Sequence, residues 1–291
     1  MEKSLVSPSL FKPYLMLTKP GIILGNVITA IGGFALATHG CFDFHRLFAL
    51  LVGLSCIIAS ACVCNNYIDR SIDKMMECKR RRPLVTGIVR PNHALIYAAW
   101  LGLLGIFVLA KRTTWMALSI ALVGFFVYVA LYTLLKRRAL HNTLIGSVAG
   151  AVPPVVGYTA VTGHIDLAAL ILFGSMALWQ MPHFFAITIY RLKDYAAASI
   201  PVLAVRKGIM PVKVQMPFYI VGHTAVSSLL TLCGYVNTVY LIVTGILGTV
   251  WFCLAIRGFK VRNDHQWARQ MFIFSLLVVV TLSVFIPFCV Y

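Results

Sequence analysis

An all-α integral membrane protein with nine transmembrane helices, bundled around a central cavity open to the cytoplasmic side, is the architecture this sequence predicts. Three observations carry it. Of the 291 residues, 60% are hydrophobic and 11% charged, with a mean hydropathy of +0.89, whereas a soluble domain is about half apolar and about a quarter charged. Nine apolar runs approach the roughly 20 residues that cross a bilayer. Lys and Arg crowd into alternate joins between those runs, the mark of a membrane protein with one preferred orientation.

In order, the runs cover 21–38, 47–67, 93–110, 115–135, 142–161, 167–190, 214–234, 239–256 and 268–290. The chain is polar through Lys19, and no cleavable signal segment is expected, because the first run is long enough to stay in the membrane. Lys19-Pro20-Gly21 opens that run with Pro at the first helical turn. Gly21, Gly25, Gly32 and Gly33 in the first run, and Gly146 and Gly150 in the fifth, allow helices to approach closely. Pro153, Pro154 and Pro182 are expected to kink theirs. The eight Cys lie mostly inside apolar runs and show no C-x-x-C pairs, so they read as small packing residues rather than a metal or disulfide framework. One membrane domain over 1–291 accounts for the whole, with an Asp-rich loop at 65–92 and a second polar loop at 191–213.

With the N-terminus in the cytoplasm, 22 of the 25 Lys and Arg fall on that side, leaving Arg46, Lys111 and Arg112 outside. The net charge of +17 is then a positive-inside bias, and no nucleic-acid partner is expected. Both long loops share the cytoplasmic face. The first includes CNNYIDRSIDKMMECKRRRPLVTG at 64–87, in which Asn65, Asp69 and Asp73 recur every fourth residue and stack along one helix face. Carboxylates placed together repel one another unless a cation intervenes, and hard oxygen ligands suit Mg²⁺. Arg70, Lys74, Lys79, Arg80, Arg81 and Arg82 suit a polyanion.

The second cluster is WQMPHFFAITIYRLKDY at 179–195. On a continuous helix Tyr190 and Asp194 return to within about 20° of His183, with Gln180 near the same face. Such a stripe lines a cavity or meets another polar helix, although a lone His is more often a packing residue and Tyr190 suits an interfacial belt. Taken together, the clusters suggest Mg²⁺ bridging a diphosphate, bases on the remaining oxygens, and a greasy interior sheltering an isoprenoid tail. Ionising an allylic diphosphate requires stabilising the leaving charge; Phe184, Phe185, Tyr67 and Tyr190 are candidates for steadying the cation left behind. From another class, a lipid or haem carrier also uses intramembrane acids, but alternating access wants its site near the midplane.

KPGIILGN at 19–26, NNYIDRSID at 65–73, RPLVTG at 82–87, GAVPPVVGY at 150–158, WQMPHFFA at 179–186 and RLKDYAAASIPVL at 191–203 closely resemble the haem-farnesylating branch of the UbiA-type intramembrane prenyltransferases. The resemblance runs from Lys12 to the last apolar run. It implies a nine-helix bundle in the bacterial inner membrane, N-terminus cytoplasmic and C-terminus periplasmic. The implied reaction transfers a farnesyl group from farnesyl diphosphate to the 2-vinyl group of haem B, giving haem O and diphosphate with Mg²⁺ as cofactor. Haem A synthase or terminal-oxidase assembly are the candidate partners. Together with the clusters, it marks Asn65, Asp69, Asp73 and Asp194 as metal ligands and Asp69, Asp73, Asp194 and Tyr190 as catalytic. Arg70, Lys74, Arg80, Arg82, Arg191, Lys193, Gln180 and His183 fall to substrate binding. Departures exist: Ser71 stands where the family often has Asp, and Cys78-Lys79 where it often has Arg-Thr. His183 and Tyr190 replace aspartates found in members that act on phenolic acceptors, so prenylation of a phenolic quinone precursor is the nearest alternative. His183 becomes a candidate axial ligand for haem iron, or a group orienting a propionate or the attacking water.

Overall fold

The computed structural model describes residues 11–39, 41–136 and 142–291. Lys3, Arg137 and Arg138, counted above for orientation, lie outside them. The helices are α1 (Phe11–Leu17), α2 (Pro20–Thr38), α3 (Phe44–Asp73), α4 (Pro91–Arg112), α5 (Trp115–Phe126), α6 (Thr133–Leu135), α7 (Asn142–Gly150), α8 (Val152–Thr162), α9 (Leu167–Tyr190), α10 (Leu192–Ala197), α11 (Leu203–Lys207), α12 (Ile209–Leu232), α13 (Thr238–Arg257) and α14 (Asp264–Cys289).

Among the described residues, eight helices are long and apolar enough to span a membrane, which makes this a multi-pass membrane protein. The seventh of the nine expected spans, α12, has 24 residues but is not among the eight. Gln215, His223 and a run of Ser and Thr lower its apolarity. Side-chain caps set several helix starts: Asp43, Thr114, Asp166, Asn237 and Asn263 each accept a hydrogen bond from a backbone N–H in the following turn.

Two spans are less regular than their apolar pattern. The fourth contains a π-helical stretch, Val127–Tyr132, between α5 and α6. Wider turns of this kind re-aim the residues that follow, here Thr133 and Lys136. The fifth breaks at Ala151, where Pro153 and Pro154 occupy the first turn of α8. At that position Pro loses no helical hydrogen bond, so the break is a restart rather than a kink.

The bundle closes on itself. α2 packs on both α8 and α14, α3 lies along α4, and α9 touches α12 and α14. The α2–α8 contact is backbone to backbone, since a methyl added at Gly33 would strike the Pro154 carbonyl and one at Gly157 the Ala30 carbonyl. Beyond the spans, the expected loop at 191–213 folds into α10 and α11. Met76, 1% exposed, packs with Ala198 and Ile200, and Ile72, Tyr195 and Val202 surround them. This small apolar plug ties the segment after α3 to the segment after α9.

Candidate active site

Helix α3 runs on past its apolar section to Asp73, and its last turns carry the polar residues inward. Asn65, Asn66, Asp69 and Asp73 are all buried, at 4, 2, 1 and 1% exposure. Ionised acids survive such burial only when charges and donors surround them. Asp69 Oδ2 accepts from Asn65 Nδ2 at 2.8 Å and from the Lys136 ammonium. Asp73 Oδ2 accepts from Arg82 at 2.5 Å, and the Lys79 ammonium lies 3.1 Å from Asp73 Oδ1. Arg82 also donates to Asn66 Oδ1 at 2.9 Å, and Asn66 in turn donates to the Leu17 carbonyl at 2.8 Å.

Two participants come from far along the chain. Lys19, at the entry to α2, donates to Asn65 Oδ1 at 2.5 Å. Burial, reinforced by the neighbouring Arg82 and Lys79, pulls its ammonium down to about 8. Thr133 accepts from Asn65 Nδ2 at 3.0 Å, while its own hydroxyl donates to the Tyr128 carbonyl five residues back, a bond the π-helical stretch allows. Lys136, one residue beyond α6, is likewise lowered by desolvation, with Asp69 opposing. Neither Lys19, Thr133 nor Lys136 was singled out as a site residue from the sequence. The word KPGIILGN contains the first, whereas Lys136 reads there only as a topology charge.

Four cationic side chains, Lys19, Lys79, Arg82 and Lys136, therefore gather at two carboxylates, and the pocket holds a surplus of positive charge. Asp69 Oδ1 is buried with no hydrogen-bond partner among the described residues, and Asp73 Oδ1 has the Lys79 ion pair but no hydrogen bond. Spare carboxylate oxygens beside an amide fit a hard divalent cation that completes its shell with water and ligand oxygens. Among the described residues no three His, Cys, Asp or Glu form a closed cage; the donor set here is two carboxylates and an amide.

The other predicted residues divide. Asp194, expected as a fourth metal ligand, reaches only the segment after α3: Oδ1 accepts from the Cys78 backbone N–H at 3.5 Å, Arg191 lies 3.9 Å from Oδ2, and it forms no metal-binding group with Asp69 and Asp73. The continuous stripe expected from His183 to Asp194 does not form. α9 stops at Tyr190, Arg191 leaves helical geometry at φ −109°, and Asp194 sits on the separate α10. Gln180 and His183 also part company, because three residues on a helix differ by about 60° in direction. Gln180 donates to the Ser147 carbonyl of α7 at 3.1 Å, whereas His183 meets Ser275 of α14 at 2.7 Å. Tyr190 packs its ring on His265 at 4.6 Å, with the Arg191 guanidinium 4.7 Å from its centroid. Arg70 folds back onto the Tyr67 carbonyl and ring, and Arg80 onto the Lys74 carbonyl. Lys74 and Lys193 lie exposed at the rim.

Fold and site define a helical membrane protein that holds a buried, cation-rich acid cluster at one end of its bundle. The chain belongs to the UbiA prenyltransferase family, whose model matches residues 26–277. It is 49% identical, over 94% of this chain and 97% of the relative, to a protoheme IX farnesyltransferase of Protochlamydia amoebophila. A protein of the same name from Yersinia pseudotuberculosis is 48% identical over 94% of both chains. In fold it is similar to a digeranylgeranylglyceryl phosphate synthase, with a TM-score of 0.77 and 20% identity over 95% of this chain and 98% of that one. A UbiA homologue from Archaeoglobus fulgidus, solved with GPP and Mg²⁺, gives 0.65 and 13% over 94% and 99%.

Proposed function

We propose that this prenyltransferase moves a farnesyl group from farnesyl diphosphate to the 2-vinyl group of haem B, releasing diphosphate and forming haem O. The observation that carries the chemistry is the buried Asp69–Asp73 pair with four cations around it and spare oxygens on both acids. The haem acceptor is read from near full-length relatives that bear the protoheme IX farnesyltransferase name.

In this reading the diphosphate sits against Lys19, Lys79, Arg82 and Lys136, which neutralise its oxygens. Asn65, Asp69 and Asp73 would hold Mg²⁺, which supplies further charge stabilisation to the leaving diphosphate when bound; Asp194, held at the Cys78 amide, stands outside that donor set. The C1–O bond of the farnesyl chain breaks, and its electron pair leaves with the diphosphate. The vinyl π-electrons then form the new C–C bond to the allylic carbon. Water adds to the resulting cation beside the porphyrin ring and loses a proton, so one water is consumed per haem O formed. Exclusion of bulk water keeps the farnesyl cation from simple hydrolysis; the apolar interior provides it. Arg70, Lys74, Arg80 and Lys193 act at the rim, drawing the anion inward by long-range attraction. The Lys and Arg distribution supports a cytoplasmic mouth, an N-terminus on the same side and an inner-membrane location.

The test uses purified protein in lipid with haem B, farnesyl diphosphate and Mg²⁺. Mass spectrometry should show a haem heavier by a farnesyl group plus a hydroxyl group, with diphosphate released in equal amount. In a parallel reaction with 4-hydroxybenzoate added, unmodified haem alongside the prenylated phenol would transfer the reading to phenolic acceptors.

A further inference from the structure

The seam between α9 and α14 contains an imidazole held in an unusual way. His183 lies in the apolar part of α9, about 10 Å along the helix from Tyr190 at its polar end. Three rings clamp it: Trp179 at 4.7 Å and 22°, Phe272 at 5.1 Å and 35°, and Phe184 at 5.7 Å and 56°. Its Nδ1 is 2.7 Å from Ser275 Oγ. Ser275 has one hydroxyl hydrogen and donates it to the Phe272 carbonyl at 2.6 Å, an atom that can only accept. Ser275 must therefore accept from His183, which puts the proton of the neutral imidazole on Nδ1. The Nε2 lone pair is left free, with no hydrogen-bond partner among the described residues, on a half-buried side chain. Trp179, which donates its indole N–H to the Ser275 carbonyl at 2.8 Å, ties α9 to the same residue of α14.

A packing histidine with the same tautomer is present for comparison, and it differs in exposure. His223, on α12, is 4% exposed, points Nδ1 at the Ser175 carbonyl at 3.0 Å, and has its Nε2 shut in. His183 is half-buried rather than shut in, and it presents its lone pair from a ring whose tautomer and plane are both set by neighbours, the usual second-shell design for an imidazole that binds a metal. Resting on the haem-acceptor reading above, we propose that His183 Nε2 is the axial ligand that binds the iron of the acceptor haem and sets its pose. The bond is dative: Nε2 shares its lone pair, and no proton or electron moves. An amphiphilic macrocycle held there would lie among apolar and aromatic side chains. Its propionate edge would turn toward the polar end of the seam, where Arg191 and His265 flank Tyr190.

The experiment titrates ferric haem into the purified full chain in lipid without farnesyl diphosphate, reading the Soret band and the electron paramagnetic resonance spectrum. The parent should show nitrogen ligation. His183→Ala should lose it, with haem affinity down about tenfold or more, and added imidazole should restore the parent spectrum. His183→Met keeps the volume and should shift the band to a different ligation state, which covers a poorly folding alanine variant. Ser275→Ala, which frees the imidazole to rotate, should weaken binding roughly tenfold without abolishing ligation, and His223→Ala should leave the spectrum unchanged. A parent-like spectrum in both His183 variants overturns the ligand assignment while haem O formation, measured separately by product mass, continues to support the reaction. Absence of haem binding by the parent chain overturns the acceptor reading and this proposal together.

Discussion

Replacing Asp69 by Asn tests the acid cluster, and the structure says how to separate chemistry from folding. Asp69 is 1% exposed and forms an ion pair with Lys136, itself 8% exposed. Asn keeps the shape but leaves the Lys136 ammonium buried without its counter-charge, and breaking a buried pair from one side costs about 3–5 kcal/mol. A large loss of activity in the single variant would therefore be ambiguous. Removing both charges resolves it, because a buried pair replaced by neutral groups of similar volume is roughly neutral in stability. Asp69→Asn with Lys136→Met should melt near the parent while losing at least about 10²–10³-fold in turnover, about 3–4 kcal/mol of transition-state stabilisation. The assay is paired: thermal unfolding in lipid, and haem product by mass spectrometry at saturating farnesyl diphosphate. A double variant that melts like the parent and turns over within a few-fold of it would refute the role of Asp69 in leaving-group departure.

Other outcomes follow from the same geometry. Arg82→Ala removes a donor shared by Asn66 and Asp73 and should raise the KM for farnesyl diphosphate about 10–100-fold, the worth of a charge-assisted hydrogen bond; Arg82→Lys should fall between, because Lys lacks the fork. Met76→Ala hollows the plug between the two polar segments and should cost about 2–4 kcal/mol, visible as a lower Tm, with activity falling as Asp194 drifts from Cys78. Gly157→Ala forces α2 and α8 apart and should destabilise by about 1–3 kcal/mol without changing KM in the protein that remains folded. Asp43 caps α3 through the Arg46 amide at 3.0 Å, and this hydrogen bond holds its carboxyl below the ordinary carboxylate range. A depressed folded-state value means the contribution is present at neutral pH and is lost as pH falls through that value. Asp43→Ala should therefore lower Tm at pH 7 and make progressively less difference in acid.

Local periodicity placed one part of the polar cluster. Asn65, Asp69 and Asp73 lie four residues apart on one helix, so their common face follows from helical geometry alone. The same rule failed for His183 and Asp194, because it assumed an unbroken helix through Arg191. There the apolar run ends, and the chain turns into a short amphipathic segment held by contacts with Met76 rather than by the span it leaves. The fourth span misled in a quieter way, since nothing in its apolar pattern announces the π-helical stretch that delivers Thr133 and Lys136 to Asn65 and Asp69.

Composition and charge bias were enough to establish a membrane bundle, and local spacing was enough to find its acids, because burial preference and helix periodicity act over a few neighbouring residues. The partners of those acids were decided by folding. Lys19 lies 46 residues from Asn65 and Lys136 lies 67 from Asp69, distances over which no periodicity carries information. The bundle brings them together, and only there does a topology charge become the counter-ion of a buried carboxylate.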